Sequence, residues 1–346
     1  TWATYELILD SNGLNFQGDA DTFIVDYDTA GQSLNIVYSD STKGWLPVSD
    51  DAVADVPEQP PTQKAIFGYG YSGGGVSMTN LVNSSGVVAA DVSGVGTARY
   101  GVAAAGYGVD KAIFAYGSTG SQVSMSNLVS SSGVVATDTT GVGTARSEPG
   151  AATYGTDKAI FGYGYNGSAY VSMSNLVNSS GVIASDVTGV GTARSVCAAA
   201  RYGTIAAGKA IFGYGYGGSY VSMTNLVTNA GVIGSDVSGV GTARSQLGAT
   251  TYGSDKAIFA YGWSGGGGSL FSLSNLVSNS GVVASDVSGV GTARRNIQGA
   301  GYGGDKGIFA YGYTSSNVSM SNLVNSSGVI ASDVSGVGTA RGNPAA

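Results

Sequence analysis

The sequence predicts an all-β protein, a six-bladed β-propeller joined to a small N-terminal β module, and three observations carry that expectation. Glycine supplies 58 of the 346 residues while only 11% are charged and 6 are proline, a profile of short strands and tight turns. A motif Lys-(Ala/Gly)-Ile-Phe-(Gly/Ala)-Tyr-Gly begins six times, at Lys64, Lys111, Lys158, Lys209, Lys256 and Lys306, with spacings of 47, 47, 51, 47 and 50 residues. Charge divides the chain near Pro57: residues 1–62 hold eleven acids against Lys43 alone, and the remainder holds eleven acids and fourteen bases.

The N-terminal module, residues 1–57, alternates apolar and polar residues over Tyr5–Leu9, Thr22–Tyr27, Ser33–Ser39 and Trp45–Val48, with Asn12-Gly13 and Ala30-Gly31 as turns. Four short strands make a marginal core, so the module is expected to pack in an oligomer or to continue a domain whose beginning is absent. A chain that starts at Thr1 rather than Met is expected to be a processed or truncated piece.

Residues 58–346 form the repeated body. Each copy of the motif runs on into Ser-(Met/Leu)-(Thr/Ser)-Asn-Leu-Val, a turn such as Asn83-Ser84-Ser85-Gly86, an Asp, and Gly-Val-Gly-Thr-Ala-Arg. The apolar runs are short, rich in Val, Ile, Phe and Tyr, and broken by Gly/Ser/Asn clusters, which predicts four strands per repeat and no helix. In the second copy these are Val102–Tyr107, Lys111–Gly117, Val123–Ser130 and Gly133–Thr139, numbered from the innermost outwards. Four strands every 40 to 50 residues is the period of a propeller blade, because one such sheet cannot bury both faces without neighbours. The first blade lacks its own inner strand, since Pro60-Pro61 stands there; a strand from Arg341–Ala345 or from residues 52–58 is expected to fill the position.

Composition excludes several chemistries. The chain has no histidine and one cysteine, Cys197, which removes Ser/His/Asp hydrolysis, imidazole metal sites and internal disulfides. No apolar run approaches the roughly 20 residues of a membrane-spanning helix, so no membrane insertion is expected. An acidic segment beside a near-neutral body offers no basic stripe for phosphates, so nucleic acid is not an expected partner.

The segment Arg99–Gly117, with Ala-Ala-Ala-Gly-Tyr-Gly-Val-Asp-Lys-Ala-Ile-Phe-Ala-Tyr-Gly, resembles the kelch repeat, in which an Arg precedes an apolar strand, a tight turn and a strand ending in a Gly pair. Here Tyr-Gly replaces Gly-Gly and the tryptophan of the fourth strand is missing, so the resemblance implies a kelch-like architecture over residues 64–341. The near-identical Ala-Ile-Phe-Gly-Tyr-Gly repeats, with Thr42-Lys43-Gly44-Trp45-Leu46-Pro47-Val48, also resemble virion structural proteins of tailed phages that infect marine bacteria. That resemblance implies a virion location, with the N-terminal module as the attachment end that contacts other virion proteins.

Gly68–Gly73, Gly162–Gly167 and Gly213–Gly218 match G-x-G-x-x-G, but a dinucleotide site needs a helix next, and Val76-Ser77-Met78-Thr79 reads as a strand. The glycines are expected to let sheets approach and to make turns. Each blade carries one Lys, one Asp in its fourth strand and one Arg, the last two being Asp91 and Arg99, Asp138 and Arg146, Asp186 and Arg194, Asp236 and Arg244, Asp286 and Arg294, Asp333 and Arg341. A catalytic set breaks repeat symmetry, so these are expected to be structural anchors tying blade to blade. Asn83, Asn178 and Asn325 are read as turn residues, and Cys197 as a buried inert thiol.

Two stretches vary between copies, the loop after the second strand and the link after the arginine, and alternation of strand direction brings both to one face. That face carries Tyr71, Tyr165, Tyr170, Tyr216, Tyr220, Trp263, Phe271 and Tyr313, with Arg201, Arg295 and Gln298 in or near the links. Aromatic rings among Gly/Ser loops suit carbohydrate, whose C–H faces pack on rings while hydroxyls meet short polar groups. The competing reading is a solvated rim with aromatics folded back on blade edges.

The expectation is therefore a non-enzymatic phage virion structural protein, a fibre or a head or tail decoration, that displays its propeller for host-surface glycan binding. It is expected at the virion surface, with no catalytic residue, cofactor or metal, and with a homo-oligomer as one form of assembly. A secreted bacterial lectin or adhesin is the alternative, and a propeller glycoside hydrolase the second. The single glutamate of residues 64–341, Glu148, and the even spread of the arginines there disfavour the last. Ser185-Asp186-Val187-Thr188-Gly189 resembles an Asp-box, with its spacing off by one residue.

Overall fold

The computed structural model describes residues 7–8, 11–18, 26–27, 35–49, 64–204, 208–265 and 269–346. The chain divides into two compact units, Thr1–Pro61 and Thr62–Ala346. The protein is all-β: among the described residues there is no helix, and every sheet is antiparallel with two or three strands.

In the first unit β1 (Leu7–Ile8) pairs with β2 (Asp26–Tyr27), and β3 (Asn35–Asp40) pairs with β4 (Gly44–Ser49). Asp40 Oδ1 accepts the Thr42 and Lys43 amides at 2.8 and 2.7 Å, which closes the turn between β3 and β4. The Tyr38 and Trp45 rings meet edge to face at 5.5 Å, and Phe16 is buried beside them with a bridge to Trp45. The remainder of the expected Tyr5–Leu9 and Thr22–Tyr27 strands and the Ala30-Gly31 turn lie outside the described residues.

In the second unit the repeats give β5 (Ala65–Tyr71) and β6 (Gly75–Val82), then five three-stranded sheets. These are β7 (Ala103–Tyr107), β8 (Lys111–Ala115) and β9 (Ser126–Val129); β10 (Gly150–Tyr154), β11 (Lys158–Gly162) and β12 (Ser174–Val177); β13 (Ala198–Tyr202), β14 (Lys209–Tyr216) and β15 (Tyr220–Val227); β16 (Gly248–Tyr252), β17 (Lys256–Ser264) and β18 (Ser269–Val277); β19 (Gln298–Tyr302), β20 (Lys306–Ala310) and β21 (Ser321–Val324). The first strands β7, β10, β13, β16 and β19 adjoin one another in chain order, and β19 adjoins β5. The middle strands are buried on both faces, which is why Ala-Ile-Phe runs through them without polar alternation.

The expected fourth strand is not a regular strand. Gly133–Thr139 touches β9 only through the isolated bridges Val129↔Val135 and Ser126↔Thr139, and the other repeats do the same. Between those bridges the Asn127 side chain takes the place of a ladder bond: its Nδ2 donates to Ala136 O at 3.0 Å and to Asp138 Oδ1 at 2.9 Å. The second strands also stop or bulge early. Tyr163 and Gly164 have φ of 64° and 115°, and a Cβ on Gly164 would stand 2.9 Å from Ser147 O, so glycine is required there.

Rings link each repeat to the next. Tyr69 meets Phe114, Tyr116 meets Phe161, Tyr163 meets Phe212, Tyr214 meets Phe259, Tyr261 meets Phe309, and Tyr311 of the sixth repeat meets Phe67 of the first, all edge to face at 5.1 to 5.6 Å. The end of the chain joins the first repeat as well. Ala345 exchanges backbone hydrogen bonds of 2.8 and 2.9 Å with Gly68, and Gly342 exchanges bonds of 2.8 and 3.0 Å with Tyr71, so residues 342–345 lie along the free side of β5. This is the position that β7 takes beside β8. The other candidate, residues 52–58, lies outside the described residues.

Candidate functional site

Two sets of side chains stand out in the second unit, one repeated at every junction and one confined to a single cleft. The repeated set is built on the arginine that ends each copy. Arg194 is fully buried; its Nε donates to Tyr214 O at 2.9 Å, Nη1 to Thr192 O at 3.0 Å and Nη2 to Asn225 Oδ1 at 2.7 Å, while its guanidinium lies 4.1 Å over the Tyr163 ring. Asn225 in turn donates to Asp236 Oδ1 at 2.9 Å, and Asp236 accepts the Thr192 amide and, at 2.7 Å, the Thr192 hydroxyl. A chain Arg–Asn–Asp–Thr thus crosses from one repeat to the next and back.

Arg99, Arg146, Arg244, Arg294 and Arg341 repeat the arrangement, each stacked on a tyrosine at 3.9 to 4.4 Å. The expected Arg–Asp pairing is looser than these bonds: Nη1 stands 3.8 to 4.0 Å from Asp138, Asp236, Asp286, Asp333 and Asp91. The short contacts run through Asn80, Asn127, Asn175, Asn225, Asn275 and Asn322, all fully buried. These asparagines were not among the expected anchors, although an Asn retained in all six copies inside an apolar run signals that the interior uses its amide. At the junction of the sixth and first repeats Arg341 keeps its bonds to Thr339 O and Asn80, but its Nε has no hydrogen-bond partner among the described residues.

Burial pushes the aspartates up, and hydrogen bonds outweigh it. For Asp236 these come from the Thr192 hydroxyl, Asn225 and the Thr192 amide, with the charge of Arg194 behind them, and the carboxyl titrates below the usual aspartate range.

The second set lies where the variable stretches meet. Link residues pair with loop residues, Ser147↔Tyr165, Ser195↔Tyr216, Ser245↔Trp263 and Arg295↔Tyr313, so the two variable stretches do share a face. On it Tyr165, Tyr170, Tyr216, Tyr220 and Trp263 form an unbroken ladder with successive ring centroids 5.5, 5.7, 5.0 and 5.5 Å apart. Arg295 continues it, its guanidinium 4.6 Å from the Trp263 ring and 5.2 Å from Tyr313. The ladder lines a cleft of about 310 Å³ together with Glu148, Ser195, Val196, Ser245 and Gln246.

The other residues expected on this face lie outside the cleft lining. Tyr71 packs edge to face on Tyr100 at 5.5 Å and is 44% exposed, away from the cleft lining. Phe271 sits in β18 opposite Gly262, with its carbonyl taken by the Arg294 amide. Gln298 begins β19 and lines a small void with Asn296 and Asn343. Arg201 requires a correction: it pairs with Ala210 near the far end of β13, one residue before Tyr202, and strand direction carries it to the end opposite the links.

The floor of the cleft comes from link positions whose repeat-to-repeat variation was the available signal. Two residues after each arginine stand Gly101, Glu148, Val196, Gln246, Asn296 and Asn343, all with φ between 47° and 61°. Their backbones form a relay: Glu148 N donates to Gly101 O, Val196 N to Glu148 O, Gln246 N to Val196 O, Asn296 N to Gln246 O and Asn343 N to Asn296 O, at 2.7 to 3.1 Å. Five of these six are not glycine, and the relay is what holds them in the left-handed region. The Glu148 carboxylate accepts one long bond, 3.4 Å from Ser195 Oγ, and burial pushes its pKa up. The Gln246 Oε1 and Asn296 Oδ1 atoms are buried without a hydrogen-bond partner among the described residues.

Cys197 is buried beside this floor, and burial raises its thiol. In the turns, Asn83, Asn178 and Asn325 each accept two backbone amides at 2.9 to 3.0 Å. Compared with known proteins, the chain matches no family model and no curated protein.

Proposed function

We propose that the second unit is a six-bladed, kelch-like β-propeller that binds carbohydrate, without catalysing its cleavage, through the cleft lined by Tyr165, Tyr170, Tyr216, Tyr220 and Trp263. The aromatic ladder carries the reading. A sugar ring presents C–H faces that pack on aromatic rings and hydroxyls that need short polar partners, and the cleft offers five rings beside Ser195, Ser245 and Gln246. The propeller reading is supported by the Tyr–Phe and Asp–Thr links that join each repeat to the next and the sixth to the first.

A binding role is favoured over hydrolysis by the count of carboxylates. Glycoside cleavage on the usual plan needs two, and Glu148 is the single acid in the cleft lining. In this proposal the chain is a virion structural protein, a fibre or a head or tail decoration, attached through residues 1–57 and presenting the cleft to host-surface glycans, where many copies make weak contacts effective. This last step rests on the resemblance of the repeats and of the Thr42–Val48 segment to phage virion proteins.

A glycan array probed with the full chain tests the site: binding is expected, and Trp263→Ala or Tyr216→Ala should weaken it at least tenfold. Retained binding in both variants overturns the cleft assignment. Co-purification with particles at fixed copy number, with residues 1–57 cross-linked to a capsid or tail protein, is the outcome expected of a virion component; a free monomer supports a secreted lectin instead.

A further inference from the structure

The polar part of the cleft is one-sided. None of its lining residues is a lysine or arginine, and two of its buried polar groups are acceptors short of donors. Among the described residues the Glu148 carboxylate has the long Ser195 bond and no ion pair, and the Gln246 Oε1 has no hydrogen-bond partner. The two belong together, because Glu148, Val196 and Gln246 are consecutive members of the backbone relay. Glu148 also adds to the rise that burial and the neighbouring tyrosines impose on the Tyr170 phenol, so its field reaches the rings.

We propose that the cleft selects a sugar bearing a free, protonated amino group, with Glu148 as its charge partner and Gln246 Oε1 as a second acceptor. This inference rests on the carbohydrate-binding reading and names its ligand class. A buried acceptor without a donor is costly, and a half-buried carboxylate without a cation is costlier. An ammonium group supplies three donors and the missing charge, whereas an N-acetylated sugar offers one N–H and none of the charge. Aromatic faces around the group add cation–π attraction, which Trp263 already gives to Arg295 on the rim. Arg295 itself is not among the lining residues, so it does not occupy the place of the ligand's cation.

The test is calorimetric titration of the full chain, at physiological salt, with short glucosamine and galactosamine oligosaccharides, their fully N-acetylated counterparts, and a uronic acid oligosaccharide of equal length. One of the amino forms is expected to bind at least tenfold more tightly than its acetylated counterpart. In Glu148→Gln that ratio should fall to within about threefold, and in Gln246→Glu, which adds a second carboxylate, it should widen; thermal melts of both variants monitor folding. Equal binding of the two forms, tighter binding of the acetylated or acidic sugar, or an unchanged ratio in a folded Glu148→Gln overturns the amino-sugar inference while leaving the carbohydrate site standing. Failure of every sugar here and on the array overturns both.

Discussion

Thr339 and Asp91 are 248 positions apart in the chain, and the Thr339 hydroxyl donates to Asp91 Oδ2 at 2.6 Å. The same bond joins Thr97 to Asp138 and Thr144 to Asp186 between successive repeats. The junction between the last and first repeats therefore uses the chemistry of the junctions between neighbours, with the unpartnered Arg341 Nε as its one deficit.

From this it follows that Asp91→Ala should destabilise the second unit about as much as Asp186→Ala, by roughly 2 kcal/mol each, since either change removes charge-assisted bonds from a Thr and an Asn. Deleting residues 342–346 should also lower the melting temperature, because it strips four backbone hydrogen bonds from β5 and the buried Ala345. Denaturant midpoints measure the first and thermal scans the second. A silent Asp91→Ala beside a damaging Asp186→Ala, or an unchanged melt after deletion, counts against a junction formed in solution.

Arg194 should not be replaceable by lysine. Its three nitrogens reach three acceptors in different directions and its plane covers Tyr163, a pattern that one ammonium cannot reproduce. Arg194→Ala is expected to cost about 3 kcal/mol and Arg194→Lys more than half of that, from lost packing and unpaired buried acceptors. Glycan binding per folded molecule should be unchanged, as Arg194 does not line the cleft. A lysine variant as stable as the parent contradicts this account.

Acid should unfold the second unit. Asp91, Asp138, Asp186, Asp236, Asp286 and Asp333 all titrate below 3.8 in the folded state, because hydrogen bonds outweigh the upward push of burial. A depressed carboxyl contributes stability that is complete above the unfolded-state value and is lost as pH falls through the lower folded-state value. Glu148, raised by burial, has the opposite sign: its contribution improves as pH falls. Asp255, lowered by hydrogen bonds from Asn279 and Lys256, joins the six aspartates, so seven described carboxyls oppose one, and denaturant midpoints should hold from pH 7 to about 5 and drop steeply below about 4. A midpoint flat down to pH 2.5 is the contrary result.

Gly164→Ala should cost about 1–3 kcal/mol, since the residue combines a φ of 115° with a carbonyl 2.9 Å from the added Cβ. Gly74 has open space where a Cβ would go and an ordinary φ, and Gly74→Ala should be neutral or slightly stabilising. Comparing the two variants by thermal melt separates backbone strain from a general intolerance of substitution.

Much of this was legible because it is local. The Val, Ile, Phe and Tyr runs between Gly/Ser/Asn clusters mark the strands to within a few residues, and Pro60-Pro61 marks the sheet that lacks an inner strand of its own. The missing fourth strand was not legible: Gly133–Thr139 has the pattern of a strand, and only the insertion of Asn127 against Ala136 O removes it from the ladder. Arg201 misled for a related reason, since variation between copies marks a position as free of repeat constraint without saying at which end of the strand it lies.

The sequence by itself determined the all-β class, the repeat unit, its strand order and the two variable stretches, because each depends on neighbours a few residues apart and on the period of side chains along a strand. Only the tertiary structure decided that five aromatics from three repeats form one ladder, that Glu148 and Gln246 line the same cleft as that ladder, and that Asn225 stands between Arg194 and Asp236. The links that matter span 31 positions from Arg194 to Asn225 and 98 from Glu148 to Gln246; they depend on how one sheet is rotated and shifted against the next, which packing between sheets sets and no local pattern encodes.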